Sequence, residues 1–384
     1  MALRNNTWKL NQWYDQDVAG NVSYTGTKEL WGWGKNNHGQ LGQNNKTYYS
    51  SPVQITGTTW TTPIVSGSGY GDTMQAALKT DGTLWTWGQN NHGGLGQNNT
   101  TSYSSPVQIP GTTWAGGAIG RKCQYQVKTD GTLWTWGSNT YGQLLKNDTG
   151  HKSSPRQVPG TTWSGAVGKI SGSFGGTVTL IKTDGTMWSA GRNDEGGEIG
   201  DNATISRSSP TQIPGTTWTK VARGLNHGLA IRTDGTLWVW GYSGNGRLGL
   251  NQGLGNSRSS PTQIPGTWSD ASATSYASFG IKTDGTMWAW GDNGYGELGH
   301  NNRTQYSSPR QIPGTTWSQL VRGGGFNMGA IKTDGTLWVW GQDELGQLNN
   351  NDGDIDRSSP TQVPGTDWYQ VSGTQNGFFA IKEL

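Results

Sequence analysis

The chain has one cysteine, Cys123, in 384 residues. That excludes an intrachain disulfide framework and any cysteine metal cluster. Charge is also scarce, with 28 Lys and Arg against 25 Asp and Glu, a net +3. Such balance is too even for an electrostatic nucleic-acid binder, so nucleic acid is not an expected partner despite a pI near 8.8. Apolar residues make up only 30%, and no run of them is long enough to insert into a membrane. The N-terminus, Met1-Ala2-Leu3-Arg4-Asn5-Asn6, lacks the apolar core of a secretory signal. If the protein acts outside a cell, it leaves by lysis or by a route with no Sec-type signal.

What the chain does have is 63 Gly and 22 Trp, large aromatics from which a chain of low hydropathy can build a core. The Trp residues follow a repeat. Lys79-Thr80-Asp81-Gly82-Thr83-Leu84-Trp85-Thr86-Trp87-Gly88 returns in close variants ending at Gly137, Gly191, Gly241, Gly291 and Gly341, and a truncated copy spans Glu29 to Gly34. Asp-Gly favours a two-residue hairpin turn, and the alternation after it reads as a strand rather than a helix.

Each unit continues in a fixed order: a loop such as Asn36-Asn37-His38-Gly39-Gln40-Leu41-Gly42, a short Ser-Ser-Pro strand, a Pro-Gly-Thr-Thr-Trp connector, an inner strand and a glycine-rich loop. Proline in the Ser-Ser-Pro strand marks it as outermost, because a strand proline is tolerated mainly at an edge. The first Trp residues of successive units, Trp31, Trp85, Trp134, Trp188, Trp238, Trp288 and Trp338, stand 49 to 54 positions apart. Four strands at this period predict an all-β, seven-bladed β-propeller. The last unit stops in mid-hairpin at Leu384 and the first supplies the missing half, so one blade is shared between N- and C-terminal strands and the ring closes. The expected organisation is an aromatic N-terminal arm over 1–26, carrying Trp8, Trp13, Tyr14 and Tyr24, and a propeller over 27–384. The arm docks either on the propeller itself or on another chain.

The recurring Trp, Gly, Leu-Gly and Pro pattern resembles the regulator of chromosome condensation repeat family over nearly the whole chain. The resemblance implies the propeller fold and leaves the partner open, since members include a nucleotide-exchange factor for a small GTPase and an inhibitor of β-lactamase. Near-identical blades and the unmatched arm look most like the bacterial and phage members.

The Asp-Gly turns and connectors scarcely vary and emerge at one end of the ring, which reads as scaffold. The other end collects the loops that differ. There Tyr48, Tyr49, Tyr103, His151 and Tyr306 from the outer loops, and Tyr70, Phe174, His227, Tyr276 and Phe326 from the glycine-rich loops, form the candidate partner-binding face, a composition suited to protein or glycan recognition. Chemistry is not expected. The five histidines lie in different units, and no catalytic residue or cofactor is implied. Asp352, Asp354 and Asp356 alternate as in a calcium loop but lack its sixth-position glycine and later glutamate. The Lys or Arg two residues before each Asp-Gly reads as a solvated rim.

The reading is a non-enzymatic binding scaffold: a virion-associated (phage structural, tail or decoration) or cell-surface adhesion module. Residues 1–26 would anchor it to the virion or surface assembly, and the loop face would meet a protein or glycan receptor. The expected location is the virion or the extracellular surface. The alternative is a cytoplasmic regulator of protein interactions, resembling a GTPase-exchange factor or an enzyme inhibitor.

Overall fold

The computed structural model describes residues 28–63, 74–252, 255–321, 324–348, 355–374 and 376–383. The arm residues Trp8, Trp13, Tyr14 and Tyr24, together with Tyr70, Asp352 and Asp354, lie outside them.

Seven four-stranded antiparallel sheets form the blades. Blade 4 is typical, running outward through Trp218–Arg223, His227–Arg232, Leu237–Gly241 and Arg258–Ile264. Each Ser-Ser-Pro strand is outermost, as expected from its proline. Blade 7 joins Trp368–Thr374 and Gly377–Glu383 to Lys28–Gly34 and Tyr49–Ile55, with Trp31 opposite Ala380 in register. The ring is therefore closed by strand pairing between distant parts of the chain.

At the connector end, each hairpin turn is locked by a short relay. Asp81 Oδ1 accepts the Thr83 amide at 3.0 Å and its hydroxyl at 2.6 Å, and the Thr83 hydroxyl accepts Trp85 Nε1 at 2.9 Å. These Thr83 bonds hold the Asp81 carboxyl below the usual carboxylate range. The neighbouring cations are not a solvated rim, which corrects the sequence reading. Lys79 Nζ lies 4.8 Å from the Trp60 ring centre and 4.3 Å from that of Trp85, and Arg232 sits 4.4 and 4.3 Å from Trp218 and Trp238. The aromatic pair supplies a cation–π clamp of about 0.5–1 kcal/mol per contact at such sites, which alternation along one strand could not reveal because the second ring comes from the connector.

At the opposite end, the blades are fastened to one another by the second Trp of each Trp-x-Trp-Gly strand. Its indole donates to a loop carbonyl of the preceding blade: Trp33 to Gln347 at 2.9 Å, Trp87 to Gln40 at 2.6 Å, Trp136 to Gly94 at 2.9 Å. The series continues with Trp240 to Glu198 at 2.9 Å, Trp290 to Arg247 at 3.0 Å and Trp340 to Glu297 at 2.6 Å. All six rings are fully buried, so each indole N–H has a partner where water cannot serve. In five of the six loops a glycine two residues after the acceptor makes room for the ring; the loop of blade 6 has Asn349 at that position. A Cβ on Gly249, at φ +66°, would lie 2.7 Å from the Trp290 nitrogen.

Blade 3 lacks this latch because Ala190 stands where the others have Trp, and the preceding loop has Leu145 where five of the others have glycine. Both are buried in one core cluster: the leucine fills the volume that the indole vacates, at the cost of a positive φ of 60°. Restoring the pair by Leu145→Gly and Ala190→Trp is expected to stabilise the ring, whereas Ala190→Trp alone is overpacked. Urea unfolding of the double-mutant cycle should give a favourable coupling of about 1–3 kcal/mol, and additive effects would contradict the latch.

Candidate functional site

The loops at the latch end are built on one internal frame. In the loop of blade 1, Asn90 Oδ1 accepts the Leu95 amide at 2.8 Å while its Nδ2 donates to the Asn99 and Thr101 carbonyls, each at 3.0 Å. Asn36, Asn139 and Asn293 repeat this pattern. At the loop position of the latch carbonyl, glutamine side chains also clamp the loop, including Gln143, which faces the blade that has no latch indole. Gln40, Gln143 and Gln347 accept the amides of His38, Tyr141 and Leu345 at 2.9, 2.9 and 2.8 Å. The frame is rigid, and the residues that vary sit on it.

Several candidate residues serve the frame. The Tyr49, Tyr103 and Tyr306 hydroxyls accept Asn45, Asn99 and Asn302 Nδ2 at 3.0, 3.2 and 3.3 Å, and their rings pack against core clusters. His151 Nδ1 accepts the Asn139 amide at 2.9 Å, where blade 1 uses the Ser102 hydroxyl. His227 is fully buried, with Nε2 2.9 Å from the Ser278 hydroxyl. Burial and the nearby Arg247 and Arg223 hold its pKa well below the ordinary histidine value. Asp356 Oδ1 accepts the Asp343 amide and Oδ2 pairs with Arg303, at 3.0 and 3.2 Å. Among the described residues, no group of three or more His, Cys, Asp or Glu is placed to hold a metal ion.

Of the remaining candidates, Tyr48, Phe174 and Tyr276 reach the surface, and Phe326 is buried. Tyr48 is 44% exposed. Phe174 is half-buried and takes Arg121 at 5.6 Å, with Tyr141 on the same guanidinium at 5.4 Å and Arg192 5.5 Å from the Tyr141 ring. Tyr276 shares Arg247 with Tyr242 at 4.8 and 5.2 Å, and Phe326 lies 5.7 Å from Tyr276 and 4.9 Å from Tyr295. Sequence reasoning omitted Arg121, Tyr141, Arg192, Tyr242 and Tyr295. The signal was present: Tyr141 and Tyr295 share the loop position of His38 and His92, which faces the inner turn of the next blade. The structure also brings His92 and His151 together at 5.1 Å between ring centres, across the seam of two units whose histidines the sequence left unpaired.

Beneath this surface, the latch carbonyls take a second donor: Gln124 Nε2 at Gly94 (3.1 Å), Ser278 Oγ at Arg247 (2.8 Å) and Arg223 Nη1 at Glu198 (2.5 Å). Burial lowers Arg223 and Arg247 to about 10. Glu297 occupies a glutamine position of the frame. Its Oε2 accepts the Tyr295 amide at 2.9 Å, its Oε1 is buried without a partner, and burial pushes its pKa up to about 7.

The regulator of chromosome condensation (RCC1) repeat model matches residues 29–71, 81–115, 130–176, 234–280 and 284–330, and a second model of that repeat matches 218–247 and 268–297. The chain belongs to this family. It is 34% identical over 93 residues to the Protein RCC2 homolog of Danio rerio, covering 24% of this chain and 18% of that protein. With the human E3 ubiquitin-protein ligase HERC2 the identity is 28% over 88 residues, 23% of this chain and 2% of the ligase. The chain thus spans a small part of these curated relatives. The Saccharomyces cerevisiae Prp20p structure superimposes with a TM-score of 0.79 at 16% identity, over 94% of this chain and 92% of Prp20p, a likeness of fold.

These relatives correct the virion and cell-surface reading. They are eukaryotic proteins that include a ubiquitin ligase and a yeast protein studied for binding Gsp1p and histones. They are neither phage structural proteins nor adhesins. The virion or surface assembly joined through residues 1–26, the glycan receptor, and the virion or extracellular location fall with that reading, and the intracellular alternative is the better supported. Blades resemble one another because each solves the same packing problem, which says nothing of habitat or partner.

Glu297 gives a test of the frame. Its folded pKa stands above the ordinary 4.5, so the folded state holds the proton that the unfolded state releases. The stability it lends is full below about pH 4.5 and is lost as pH rises to about 7. Glu297→Gln should remove that loss, gaining on the order of 3 kcal/mol relative to wild type at pH 8 compared with pH 4. An unchanged pH slope of the urea midpoint would contradict it.

Proposed function

We propose that the chain is a non-catalytic, intracellular protein-interaction regulator that docks a protein partner on its loop face through Tyr48, Arg121, Tyr141, Phe174, Tyr242 and Tyr276. The observation that carries this reading is Arg121 held between the Tyr141 and Phe174 rings on a hydrogen-bonded frame. Ordered arginine and aromatic side chains lose little entropy on binding and dominate interface energetics. Prp20p, which shares the fold, was studied for its binding to Gsp1p and histones, so a small GTPase and core histones are the first partners to try.

The test titrates immobilised propeller with each, alongside nucleotide release from the GTPase. Tyr141→Ala with Phe174→Ala is expected to weaken binding about tenfold or more, while Thr112→Ala and Thr161→Ala on the connector face leave it unchanged. Binding that survives the loop-face changes, or is lost with the connector changes, would overturn the assignment of this face.

A further inference from the structure

Charge is unevenly distributed around the loop face. Blades 7, 1 and 2 are adjacent, and at this end they carry Lys35, Lys46, Arg121, Lys122 and Lys146. Among the described loop-face residues of these blades the one carboxylate is Asp148, which Lys152 pairs at 3.2 Å. The histidines register the resulting field. Burial, then Lys35 and Lys46, lower the pKa of His38, and burial, then Lys122, His151 and Arg121, lower that of His92. At the seam of blades 1 and 2, Met74, Asn91, His92, Gly94 and Lys122 line a small cleft. In the same seam His92 Nδ1 has no hydrogen-bond partner.

A metal does not suit the histidine pair. His151 Nδ1 accepts the Asn139 amide, so its proton sits on Nε2 and neither nitrogen offers a free lone pair. An anion suits it, because Lys122 and Arg121 bring positive charge to the His92 seam and each of the three side chains can donate to a carboxylate.

The flanks limit what kind of anion. Asp194 and Glu195 in blade 3, which share Arg192, leave one excess negative charge at one border, and Glu344 does so at the other, where Arg303 pairs Asp356 in blade 6. A phosphodiester chain running beyond the sector would meet these carboxylates, whereas a polypeptide can place its acidic residues within the sector and others outside. Tyr48, exposed beside Lys46, and Phe174, beside Arg121, add apolar contact.

We propose that the basic sector of blades 7, 1 and 2 docks an acidic polypeptide segment, its carboxylates seated on Lys35, Lys46, Arg121, Lys122 and His92. The proposal rests on the loop-face reading and names the chemistry of the partner there. A bound carboxylate favours the charged imidazole, so binding takes up a proton and tightens as pH falls.

The experiment follows fluorescence anisotropy of a labelled 14-residue peptide of Glu, Ser and Tyr, with a charge-neutral peptide and a 20-base-pair DNA duplex as comparators. The acidic peptide should bind best. Its affinity should fall about tenfold from 50 to 300 mM salt and rise about three- to tenfold from pH 7.5 to 6.0. Lys46→Glu and Lys122→Glu should each weaken binding about five- to tenfold, and His92→Gln should flatten the pH dependence, with unfolding midpoints checking that each variant folds. Salt-insensitive binding by the wild type, equal binding of the neutral peptide, or tighter binding of the duplex would overturn the proposal. If the acidic peptide fails to bind while a GTPase or histone still binds by way of Tyr141 and Phe174, this inference falls alone. Loss of both removes the loop-face reading as well.

Discussion

The structure depends on one hydrogen bond repeated around the ring, from a buried indole to a loop carbonyl of the neighbouring blade. A blade offers its neighbour two flat faces, and apolar burial between flat faces is non-directional. The indole adds direction. Leaving it unpaired in a dry seam costs about 1–3 kcal/mol, so each blade but blade 3 is held at the one rotation where its Trp meets the carbonyl. Second donors such as Gln124, Ser278 and Arg223 use the remaining lone pair, and the seam tolerates their variety because each reaches the same oxygen.

This constraint ties fold to function. Except at Gly94, the loop position of the latch acceptor carries a side chain that clamps the variable loop, so blade packing and loop shape meet at one position. Gln40, Gln143 and Gln347 do this as neutral amides, Glu297 does it as a carboxyl whose pKa burial raises, and Arg247 anchors to the Gly244 carbonyl at 2.6 Å. The side chains above, among them Arg121, Tyr141 and Tyr242, can therefore differ from blade to blade without loosening the ring.

Much of the architecture was legible in the sequence. Asp-Gly turns, the period-two Trp pairs and the strand prolines gave blade number, strand order and ring closure, because each is a local signal repeated in every unit. The candidate site was legible only as a face. Tyr49 and Tyr103 looked like recognition residues, yet their hydroxyls take asparagine amides within their own loops. His151 looked variable and fills a serine's role. Roles of this kind depend on which groups meet across a loop or a seam, and the spacing of residues does not encode that. The swap of Ala190 with Leu145 was readable only once the two were known to face each other. Location and partner were misread from composition, since aromatic-rich loops on a rigid ring serve many kinds of recognition.

The most direct measurement is hydrogen exchange of the indole N–H groups by NMR. The six latch indoles of Trp33, Trp87, Trp136, Trp240, Trp290 and Trp340 should exchange only through opening of a seam, far more slowly than the threonine-bonded indoles of Trp85, Trp134, Trp188, Trp238, Trp288 and Trp338 at the half-buried connector end. Latch indoles that exchange as fast as the connector-end set would mean that the seams are not held by this bond, and would contradict the account at its base.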